Sequence, residues 1–290
     1  MAINIVTDSG ADIPTELVKS LGITVVPLTL SFGEQTYLDG VELSPDEFYE
    51  KLVDEGIMPT TSQPSVGNFV EVYKQLKGSS NQILSIHLSA KLSGTVNSAT
   101  QAANEEQLGD AIKIIDSKQA SIALGFSVIA AAEAVARGAS LEEAASIAES
   151  TSNRTNTFIL FDTLEYLLKG GRIGRANALI GSVLQIKPIL TLDDGEIATK
   201  LKIRTLKKGI QGLQTLAEEC GDLESAAVLY TTDATEASNL SNRISNNVIT
   251  KSKPLVVRLS PAVGTHGGPG VIGVVCVKAK PQDIESIREA

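Results

Sequence analysis

Three polar segments of the chain contain the residue types that bind an anion. Residues 60–65 read Thr-Thr-Ser-Gln-Pro-Ser, residues 93–98 read Ser-Gly-Thr-Val-Asn-Ser, and residues 264–270 read Gly-Thr-His-Gly-Gly-Pro-Gly. Hydroxyl groups, free backbone N–H groups at a helix start and an imidazole can all hydrogen-bond to an anion. No nucleophile–base motif accompanies them. The sequence therefore indicates a protein that holds a small anionic group, more than one that cleaves or oxidises a substrate.

The turn at Ser93 and Gly94 follows a predicted buried strand, Ile83–His87, and opens a predicted helix at Thr95. In α/β sheets, ligands bind beyond the carboxyl ends of the strands, at turns of this kind. Gly94 has no side chain, so a ligand can approach the backbone closely there. The alternative interpretation is that Ser93 only caps its helix, because serine is common at that position.

The segment 60–65 has the same two interpretations. It contains four hydroxyl side chains and precedes a predicted helix, Val66–Leu76. Ser65 is sufficient to cap that helix, which leaves Thr61 and Ser62 as candidate ligands of a carboxylate. The alternative is an ordinary polar loop, since loops are rich in the same residue types.

His266 is one of only two histidines, and four glycines and Pro269 lie near it between two predicted strands. We predict a glycine-rich turn at this point. A histidine in such a turn does not simply fill a core, so His266 is a candidate for the anion site. The alternative is an ordinary exposed loop histidine. His87, at the end of a predicted buried strand, is interpreted as structural.

Residues 169–175, Lys-Gly-Gly-Arg-Ile-Gly-Arg, could also cradle a phosphate. The segment is not a Walker loop, because no Gly-Lys-Ser/Thr follows at the required spacing, and it is not a Gly-x-Gly-x-x-Gly dinucleotide fingerprint. Arg172 either faces an anion or pairs with a carboxylate of the fold. The sequence therefore predicts no nucleotide cofactor.

Neither the carboxylates nor the cysteines have the spacing of a metal site. The acidic pairs, Asp8 with Asp12 and Asp193 with Asp194, are interpreted as turn and cap residues. Cys276 lies in an apolar run and is interpreted as a buried free thiol. The sequence predicts no metal site, no disulfide and no catalytic residue, although Ser-His catalysis through Ser93 and His266 remains formally possible.

Strands and helices alternate through the first half of the chain. The predicted strands are Ile3–Val6, Ile23–Leu30, Ile83–His87 and Ile112–Ile115. Further helices are predicted to start near Pro14 and after Ser44, and at Thr95–Leu108, Gln119–Ala136 and Leu141–Glu149, the last with Ser140 as N-cap. This alternation predicts a parallel sheet that is covered by helices on both faces. The helix ending at Ala136 is apolar nearly all round, so it either packs tightly or leaves room for a long apolar ligand.

The second half has a different pattern. Predicted strands at Thr157–Phe161, Ala226–Tyr230, Pro254–Leu259 and Val271–Val277 accompany predicted helices at Leu164–Leu168 and Asn177–Val183. Asp194-Gly195 between two strand-like runs, Pro188–Leu192 and Glu196–Ile203, predicts a β-hairpin. We therefore predict an N-terminal parallel-sheet α/β domain (1–152), a C-terminal α+β domain with a mixed or antiparallel sheet (153–290), and a ligand between them.

Composition narrows the class of protein. Hydrophobic residues make up 42% of the 290 residues and charged residues 20%, which is typical of a globular protein. The net charge is −9, from 34 acidic and 25 basic residues, which argues against nucleic acid as a partner. We expect no signal peptide, no membrane-spanning segment and a cytoplasmic location.

Six segments together resemble the DegV family, in the family's order and over essentially the whole chain. They are residues 5–14 (Ile-Val-Thr-Asp-Ser-Gly-Ala-Asp-Ile-Pro), 25–28 (Val-Val-Pro-Leu), 60–65, 92–99 (Leu-Ser-Gly-Thr-Val-Asn-Ser-Ala), 169–175 and 264–270. The resemblance implies a bacterial two-domain protein that binds one long-chain fatty acid. It also implies that the protein presents the carboxylate to a separate ATP-dependent kinase subunit, which makes an acyl-phosphate for phospholipid synthesis.

The resemblance also implies roles for individual residues. Thr61 and Ser93, with Ser62 beside them, would hydrogen-bond the carboxylate, and Gly94 would allow close backbone approach. His266 would lie beside the same head group, with Arg172 nearby. The kinase-docking surface would include Lys202 and Arg204, in a basic stretch that could otherwise be an ordinary solvated surface.

Two other functions stay open from the sequence. One is a lipid hydrolase or acyltransferase that uses Ser93 and His266. The other is a lipid-responsive regulator that senses acyl chains through a partner protein. The carrier interpretation, in which the chain alone has no catalytic activity, fits the anion-binding residues best.

Overall fold

The computed structural model describes residues 2–54, 56–78, 81–179 and 186–289. The chain forms two compact units, and each contains segments from both halves of the sequence. The first unit comprises Met1–Ser44, Pro59–Asn153 and Ser260–Ala262, and the second comprises Pro45–Met58, Arg154–Leu259 and Val263–Ala290. The predicted domains, 1–152 and 153–290, are continuous segments and stay a prediction.

The secondary structure of the described residues consists of short strands and helices that alternate along much of the chain. The strands are β1 (Ile3–Asp8), β2 (Thr24–Val26), β3 (Thr29–Phe32), β4 (Gln35–Leu38), β5 (Thr60–Ser62), β6 (Gln82–His87), β7 (Ile112–Asp116), β8 (Thr155–Leu160), β9 (Ile189–Asp193), β10 (Glu196–Leu201), β11 (Leu223–Tyr230), β12 (Leu255–Arg258) and β13 (Ile272–Lys278). The helices are α1 (Thr15–Ser20), α2 (Pro45–Asp54), α3 (Val66–Leu76), α4 (Thr95–Glu105), α5 (Ile122–Ala136), α6 (Leu141–Arg154), α7 (Glu165–Lys169), α8 (Leu206–Glu218), α9 (Ala234–Asn247), α10 (Pro261–Gly267) and α11 (Ile284–Glu289).

The first unit contains a parallel sheet in the order β2-β1-β6-β7. Its two faces bury alternate residues of the same strands. Ile5 and Leu84 belong to an apolar cluster that includes residues of α5 and α6, whereas Val6 and Ile83 belong to a second cluster with residues of α3 and α4. Strands that are buried on both faces have nearly continuous apolar sequences, as predicted. The parallel-sheet α/β fold of the N-terminal half is therefore confirmed.

A small antiparallel sheet, β4-β3-β5, also belongs to the first unit. The predicted strand Ile23–Leu30 is wrong as one element, because it is divided between β2 of the parallel sheet and β3 of this small sheet. Pro27 lies at the division, and proline has no N–H to donate to a sheet. No strand was predicted in the polar segment 60–65, but its first three residues form β5, in which Thr61 pairs with Leu30.

The second unit is built on one mixed sheet in the order β10-β9-β8-β13-β11-β12. Only β11 and β12 run parallel, and the other neighbours are antiparallel. The predicted hairpin joins β9 and β10, and both turn residues, Asp194 and Gly195, have positive φ as a tight hairpin turn requires. Residues of α8 and α9 share one apolar cluster with alternate residues of the sheet. The mixed-sheet C-terminal domain is confirmed.

Helices α3 and α6 begin at the predicted residues, because a serine side chain caps each of them. The Ser65 hydroxyl accepts a hydrogen bond from Asn68 N, and the Asn68 side chain accepts one from Ser65 N, so α3 has a capping box. Ser140 caps α6 in the same way with Glu143. Of the predicted helix Asn177–Val183, residues up to Leu179 belong to a 3-10 helix, Gly174–Leu179, and the others lie outside the described residues.

No helix within the described ranges is both long and apolar enough to cross a membrane.

Candidate functional site

The two hydroxyl-rich segments meet in the first unit. A Cβ built on Gly94 would lie 2.7 Å from Gln63 Cδ, so the amide of Gln63 rests directly on the Gly94 backbone. A methyl group at position 94 would overlap that amide, so the Gln63 side chain would have to move to admit it. The structure therefore brings the strand end of residues 60–62 next to the Ser93–Gly94 turn, as expected for residues that bind one ligand.

Ser93 is not the cap of α4. Gly94 occupies the N-cap position, and no side chain makes a capping hydrogen bond there. The Ser93 hydroxyl lies 2.9 Å from the Thr95 hydroxyl instead, and Ser93 is only half-buried. The alternative that Ser93 only caps its helix is therefore wrong. Its hydroxyl is next to a helix start whose N–H groups have no side-chain acceptor, which is an arrangement suited to an anion.

Thr61 and Ser62 are consecutive residues of β5. Thr61 is half-buried and Ser62 is exposed. Consecutive side chains of a strand point to opposite faces, so the two hydroxyls are directed differently. Thr61 has the more enclosed position of the two, and Ser62 is the last residue of the strand.

His266 lies in a helix, not in the predicted glycine-rich turn. It belongs to α10, and its imidazole packs against Gly170: a Cβ on Gly170 would lie 2.8 Å from His266 Cε1 and closer still to Nδ1. Burial, and then the positive charge of Arg172, lower the pKa of His266 to about 4. The imidazole is therefore neutral at neutral pH and offers one hydrogen-bond donor and one acceptor.

Arg172 and Arg175 of segment 169–175 have different partners. The Arg172 Nη1 donates to the Gly170 carbonyl at 2.7 Å, which places its charge beside His266. Arg175 forms ion pairs with Asp193 and Glu196 and so holds the β9–β10 hairpin. The two arginines of the segment therefore contact different parts of the chain, and a phosphate cradle stays a prediction.

Lys202 and Arg204 lie on the connection from β10 to α8, and both are exposed. Lys207 and Lys208 follow in the first turn of α8, which Thr205 caps by accepting a hydrogen bond from Lys208 N. Within the part of the chain that the structure describes, none of these four cations has an ion-pair partner. They form a basic surface on an acidic protein.

A buried hydrogen-bond chain in the first unit was missed from the sequence. Asp8 Oδ2 lies 2.9 Å from His87 Nδ1, His87 Nε2 lies 2.7 Å from Ser85 Oγ, and Ser85 Oγ lies 2.9 Å from Tyr73 Oη. All four residues are fully buried. The order Asp–His–Ser is that of a hydrolase triad. Here the serine has no contact with solvent, which supports the structural interpretation of His87.

Two carboxyl groups, Asp12 and Asp39, have strongly raised pKa values, and nothing in the sequence pattern indicates them. Desolvation is the main cause in both, and it raises the pKa of Asp12 to about 7 and that of Asp39 to about 6. The interpretation of Asp12 as a turn or cap residue is confirmed, since it is the C-cap of the 3-10 helix Ser9–Ala11 with positive φ, but its raised pKa was not predicted. The interpretation of Asp8 is confirmed too, since its side chain accepts the capping hydrogen bond of Gly10 N.

Cys220 and Cys276 are free thiols, and Cys276 is buried as expected. Across the described residues, no three His, Cys, Asp or Glu side chains are grouped so that they could hold a metal ion.

Comparison with known sequences gives a consistent result. The family model described as an uncharacterised protein of the DegV family matches residues 2–279. A DegV domain-containing protein of Caldanaerobacter subterraneus subsp. tengcongensis is 38% identical over 274 residues, which are 94% of this chain and 97% of the relative. One from Streptomyces coelicolor is 37% identical over 274 residues, with 93% and 96% covered.

Solved structures resemble the fold over almost all of its length. A DegV family protein from Thermus thermophilus, described by its fatty acid binding, has a TM-score of 0.89 and 34% identity, with 96% of this chain and 100% of that chain covered. DegV of Bacillus subtilis, described as a fatty acid binding protein, has a TM-score of 0.84 and 35% identity, with the same coverage. A stearic-acid-binding protein from Eubacterium ventriosum has a TM-score of 0.86 and 27% identity, with 96% and 99% covered.

Proposed function

The chain belongs to the DegV family, and we propose that it binds one long-chain fatty acid and presents the carboxylate to a separate ATP-dependent kinase. The observation that carries the first half of this proposal is the similarity to the proteins from Thermus thermophilus and Bacillus subtilis. Both are described as binding fatty acid, and each matches 96% of this chain at 34% identity or more. The Gln63–Gly94 contact adds support, because it joins the two hydroxyl-rich segments in one place.

The carboxylate is bound by Thr61, Ser93 and the backbone at Gly94, with Ser62 at the edge of the group. Each of these offers a neutral donor, and a carboxylate accepts several hydrogen bonds at once. In the second unit, His266 and Arg172 are proposed as the remaining head-group residues. A neutral imidazole can donate one hydrogen bond, and the guanidinium supplies the compensating charge.

The acyl chain supplies most of the binding free energy. A tail of about 14 methylenes at ~0.8 kcal/mol each contributes roughly 11 kcal/mol before the entropy losses of binding. We place the tail in a tunnel through the apolar interior next to α5, which is buried on nearly all sides and consists mainly of small residues. The polar residues then fix which end of the ligand faces the kinase, since an unmade hydrogen bond to a buried carboxylate costs ~1–3 kcal/mol.

The kinase docks on the basic surface of Lys202 and Arg204. Exposed cations that have no acidic partner are available for an acidic surface of another protein. The kinase supplies the ATP and the phosphoryl transfer, so the chain needs no cofactor and has no activity alone. A cytoplasmic location and a role in supplying acyl-phosphate for phospholipid synthesis belong to the same proposal.

Two variants of the head-group residues test the carboxylate assignment. Ser93→Ala and Thr61→Val each remove one hydroxyl donor, and we expect each to weaken oleate binding about tenfold, as for the loss of ~1–2 kcal/mol. Displacement of a fluorescent fatty acid measures the affinity. Ser65→Ala is the matched control, because that hydroxyl caps α3 and its loss should lower stability only. Unchanged affinity in both head-group variants would remove these residues from the site.

The docking surface has its own test. Arg204→Glu should lower the rate of acyl-phosphate formation by an added kinase and leave the fatty-acid affinity as it is. Lys253→Glu is the control, because it reverses another exposed charge of the second unit. If Arg204→Glu also abolishes fatty-acid binding, the residue supports the fold and the docking assignment is wrong.

The hydrolase and regulator alternatives predict different results. A hydrolase or acyltransferase would turn over an acyl ester without a kinase, and Ser93→Ala would abolish the turnover. A regulator would bind fatty acid normally and have no effect on any kinase. The contact of the Ser93 hydroxyl with another hydroxyl, and not with a general base, disfavours the hydrolase.

A further inference from the structure

The helical turn that carries His266 has a glycine at each end. It consists of residues 264–268, and Gly268 N donates to the Gly264 carbonyl at 2.8 Å. Glycine is a poor helix former, because its backbone loses more conformational freedom on folding than that of any other residue. The turn therefore depends on its surroundings to keep one conformation.

The ring of Tyr166 lies against the second of these glycines. A Cβ built on Gly268 would lie 2.6 Å from both Cγ and Cε2 of that ring, so only a residue without a side chain fits beneath it. Tyr166 also contacts the residue on which the imidazole of His266 rests, because the Tyr166 carbonyl accepts a hydrogen bond from Gly170 N at 2.9 Å. One tyrosine of α7 therefore supports the turn at two places.

The hydroxyl end of Tyr49 lies against the first glycine. A Cβ on Gly264 would lie 2.9 Å from Tyr49 Cζ and closer still to Oη. The same hydroxyl donates to the Leu259 carbonyl at 3.3 Å. Tyr49 therefore contacts the chain just before α10 and again within it.

Tyr49 is itself fixed by its neighbours in the second unit. Its side chain is buried, its ring packs edge-on against Phe48 with 4.9 Å between the ring centroids, and the Arg258 guanidinium lies 4.9 Å from its ring centroid. Arg258 forms an ion pair with Asp46 of α2, and its Nε donates to the Thr231 carbonyl at 2.9 Å. A cation over an aromatic ring attracts it, so the ring has a defined position against which α10 can pack.

We propose that Tyr49 and Tyr166 are positioning residues that hold the turn 264–268 from both ends and so fix the imidazole of His266. The two rings come from different helices, α2 and α7, and each meets a glycine two residues away from His266. Because both glycines are covered, the turn cannot rotate about its axis without displacing a ring. The packing also accounts for the glycines themselves, since a side chain at either position would overlap a tyrosine.

Titration of His266 in the ligand-free protein tests the positioning directly. The chain has two histidines, so one variant, His266→Gln, assigns both imidazole Cε1–H signals in an NMR spectrum, and the buried His87 is the internal reference. Burial, and then the charge of Arg172, lower the pKa of His266 to about 4. In Tyr166→Leu the imidazole should move toward water, and its pKa should rise by about one unit or more toward the ordinary value of about 6.5.

A second variant and a control make the titration specific. Tyr49→Phe removes only the hydroxyl that contacts Gly264, so it should raise the pKa of His266 by a smaller amount, and it serves alone if Tyr166→Leu does not fold. Tyr37→Leu changes another half-buried tyrosine, in β4 of the first unit, and should leave the pKa as in the parent. A pKa that rises in neither variant, or that rises as much in Tyr37→Leu, would overturn the proposal.

The affinity for oleate tests whether Tyr166 acts through His266, and this part rests on the proposed function. Tyr166→Leu should weaken oleate binding about tenfold, as for one lost hydrogen bond to a charged group. In a chain that already carries His266→Gln, it should have no further effect, which a double-mutant cycle measures. An equal loss in both backgrounds would mean that Tyr166 acts by another route, against the proposal.

Failure of the proposed function gives a different result. Parent-like oleate affinity in His266→Gln would remove His266 from the head-group site. The titration of the ligand-free protein would still decide whether the two tyrosines hold the imidazole, because it involves no fatty acid.

Discussion

The imidazole of His266 lies against the backbone of Gly170, where a Cβ would come within 2.8 Å of His266 Cε1. This contact joins two segments that the sequence shows as separate glycine-rich motifs. It also places the Arg172 side chain, which donates to the Gly170 carbonyl, beside the same imidazole. His266 can therefore occupy this position only because residue 170 has no side chain.

The first prediction follows from that contact. In Gly170→Ala the new methyl group overlaps the imidazole and also lies 3.0 Å from the Tyr166 carbonyl, so His266 must move. We expect a loss of stability of about 1–3 kcal/mol, as for other overpacked positions, and weaker fatty-acid binding. Urea unfolding and fluorescent fatty-acid displacement measure the two effects.

Gly67→Ala is the control for Gly170→Ala, because position 67 is exposed in α3 and the nearest neighbour of its new methyl group would be 3.6 Å away. It should be neutral or slightly stabilising. Parent-like binding by Gly170→Ala would mean that His266 does not take part in the site.

The second prediction concerns the contact of Gln63 with Gly94. Gly94→Ala should displace the Gln63 amide, which can rotate away, so the cost in stability should be only about 1 kcal/mol. The double variant Gln63→Ala/Gly94→Ala should recover most of it, which gives a coupling energy of at least ~0.5 kcal/mol in a double-mutant cycle. Additive effects of the two changes would show that the contact is absent in solution.

The third prediction is a pH dependence of stability. The pKa of His266 is about 4 in the folded protein and about 6.5 in the unfolded chain, so the unfolded chain binds more protons between these values. The free energy of unfolding therefore gains up to about 3 kcal/mol from this group as pH rises from about 4 to 6.5, and nothing more above that. Asp12 and Asp39 have raised pKa values, so their ionisation lowers the free energy of unfolding as pH rises. The pH dependence of the parent chain therefore does not isolate the contribution of His266.

The difference between the parent and His266→Asn isolates the histidine, because the two carboxyl groups are present in both chains. Urea unfolding at a series of pH values from about 4.5 to 7.5 should show the parent gaining stability relative to the variant until the unfolded-chain pKa of about 6.5 is passed. A constant difference would mean that the imidazole titrates normally and is well solvated.

The fourth prediction separates a structural from a catalytic role for the buried Asp8–His87–Ser85 array. Ser85→Ala leaves His87 Nε2 and the Tyr73 hydroxyl without their shared partner, which should cost ~1–3 kcal/mol for each unmade hydrogen bond. Urea unfolding measures this loss, and a long-chain p-nitrophenyl ester tests for hydrolysis. Ester turnover by the parent that disappears in Ser85→Ala, with stability unchanged, would identify the array as catalytic.

Helices and strands were predicted well from the sequence where neighbouring residues determine them. Ser65 and Ser140 satisfy N–H groups of their own helices, so α3 and α6 begin where the sequence indicates. Strands β6 and β7 were predicted because their residues are apolar and suited to burial. The hairpin was predicted because Asp-Gly readily adopts the positive φ of a tight turn. Pro27 shows the limit, since one apolar run was predicted as one strand although proline divides it.

The helix of His266 could not be predicted in this way. Its glycines favour a turn, but Gly264 packs against Tyr49, where a Cβ would lie 2.9 Å from the ring carbon Cζ. Such close packing overrides helix propensity, and it joins residues far apart in the sequence. Asp12 and Asp39 were missed for the same reason, because they are buried beside Ser121, Ser260 and Ala262, which lie far from them in the sequence.

The measurement that tests fatty-acid binding most directly is native mass spectrometry of the chain purified from a bacterial host, followed by denaturation and lipid analysis. We predict one fatty acid per chain, released only on denaturation, with an identity that reports the preferred acyl chain within the host's pool. A chain that stays empty after incubation with free fatty acids would contradict the proposed function, and the enzyme and regulator alternatives would then be tested first.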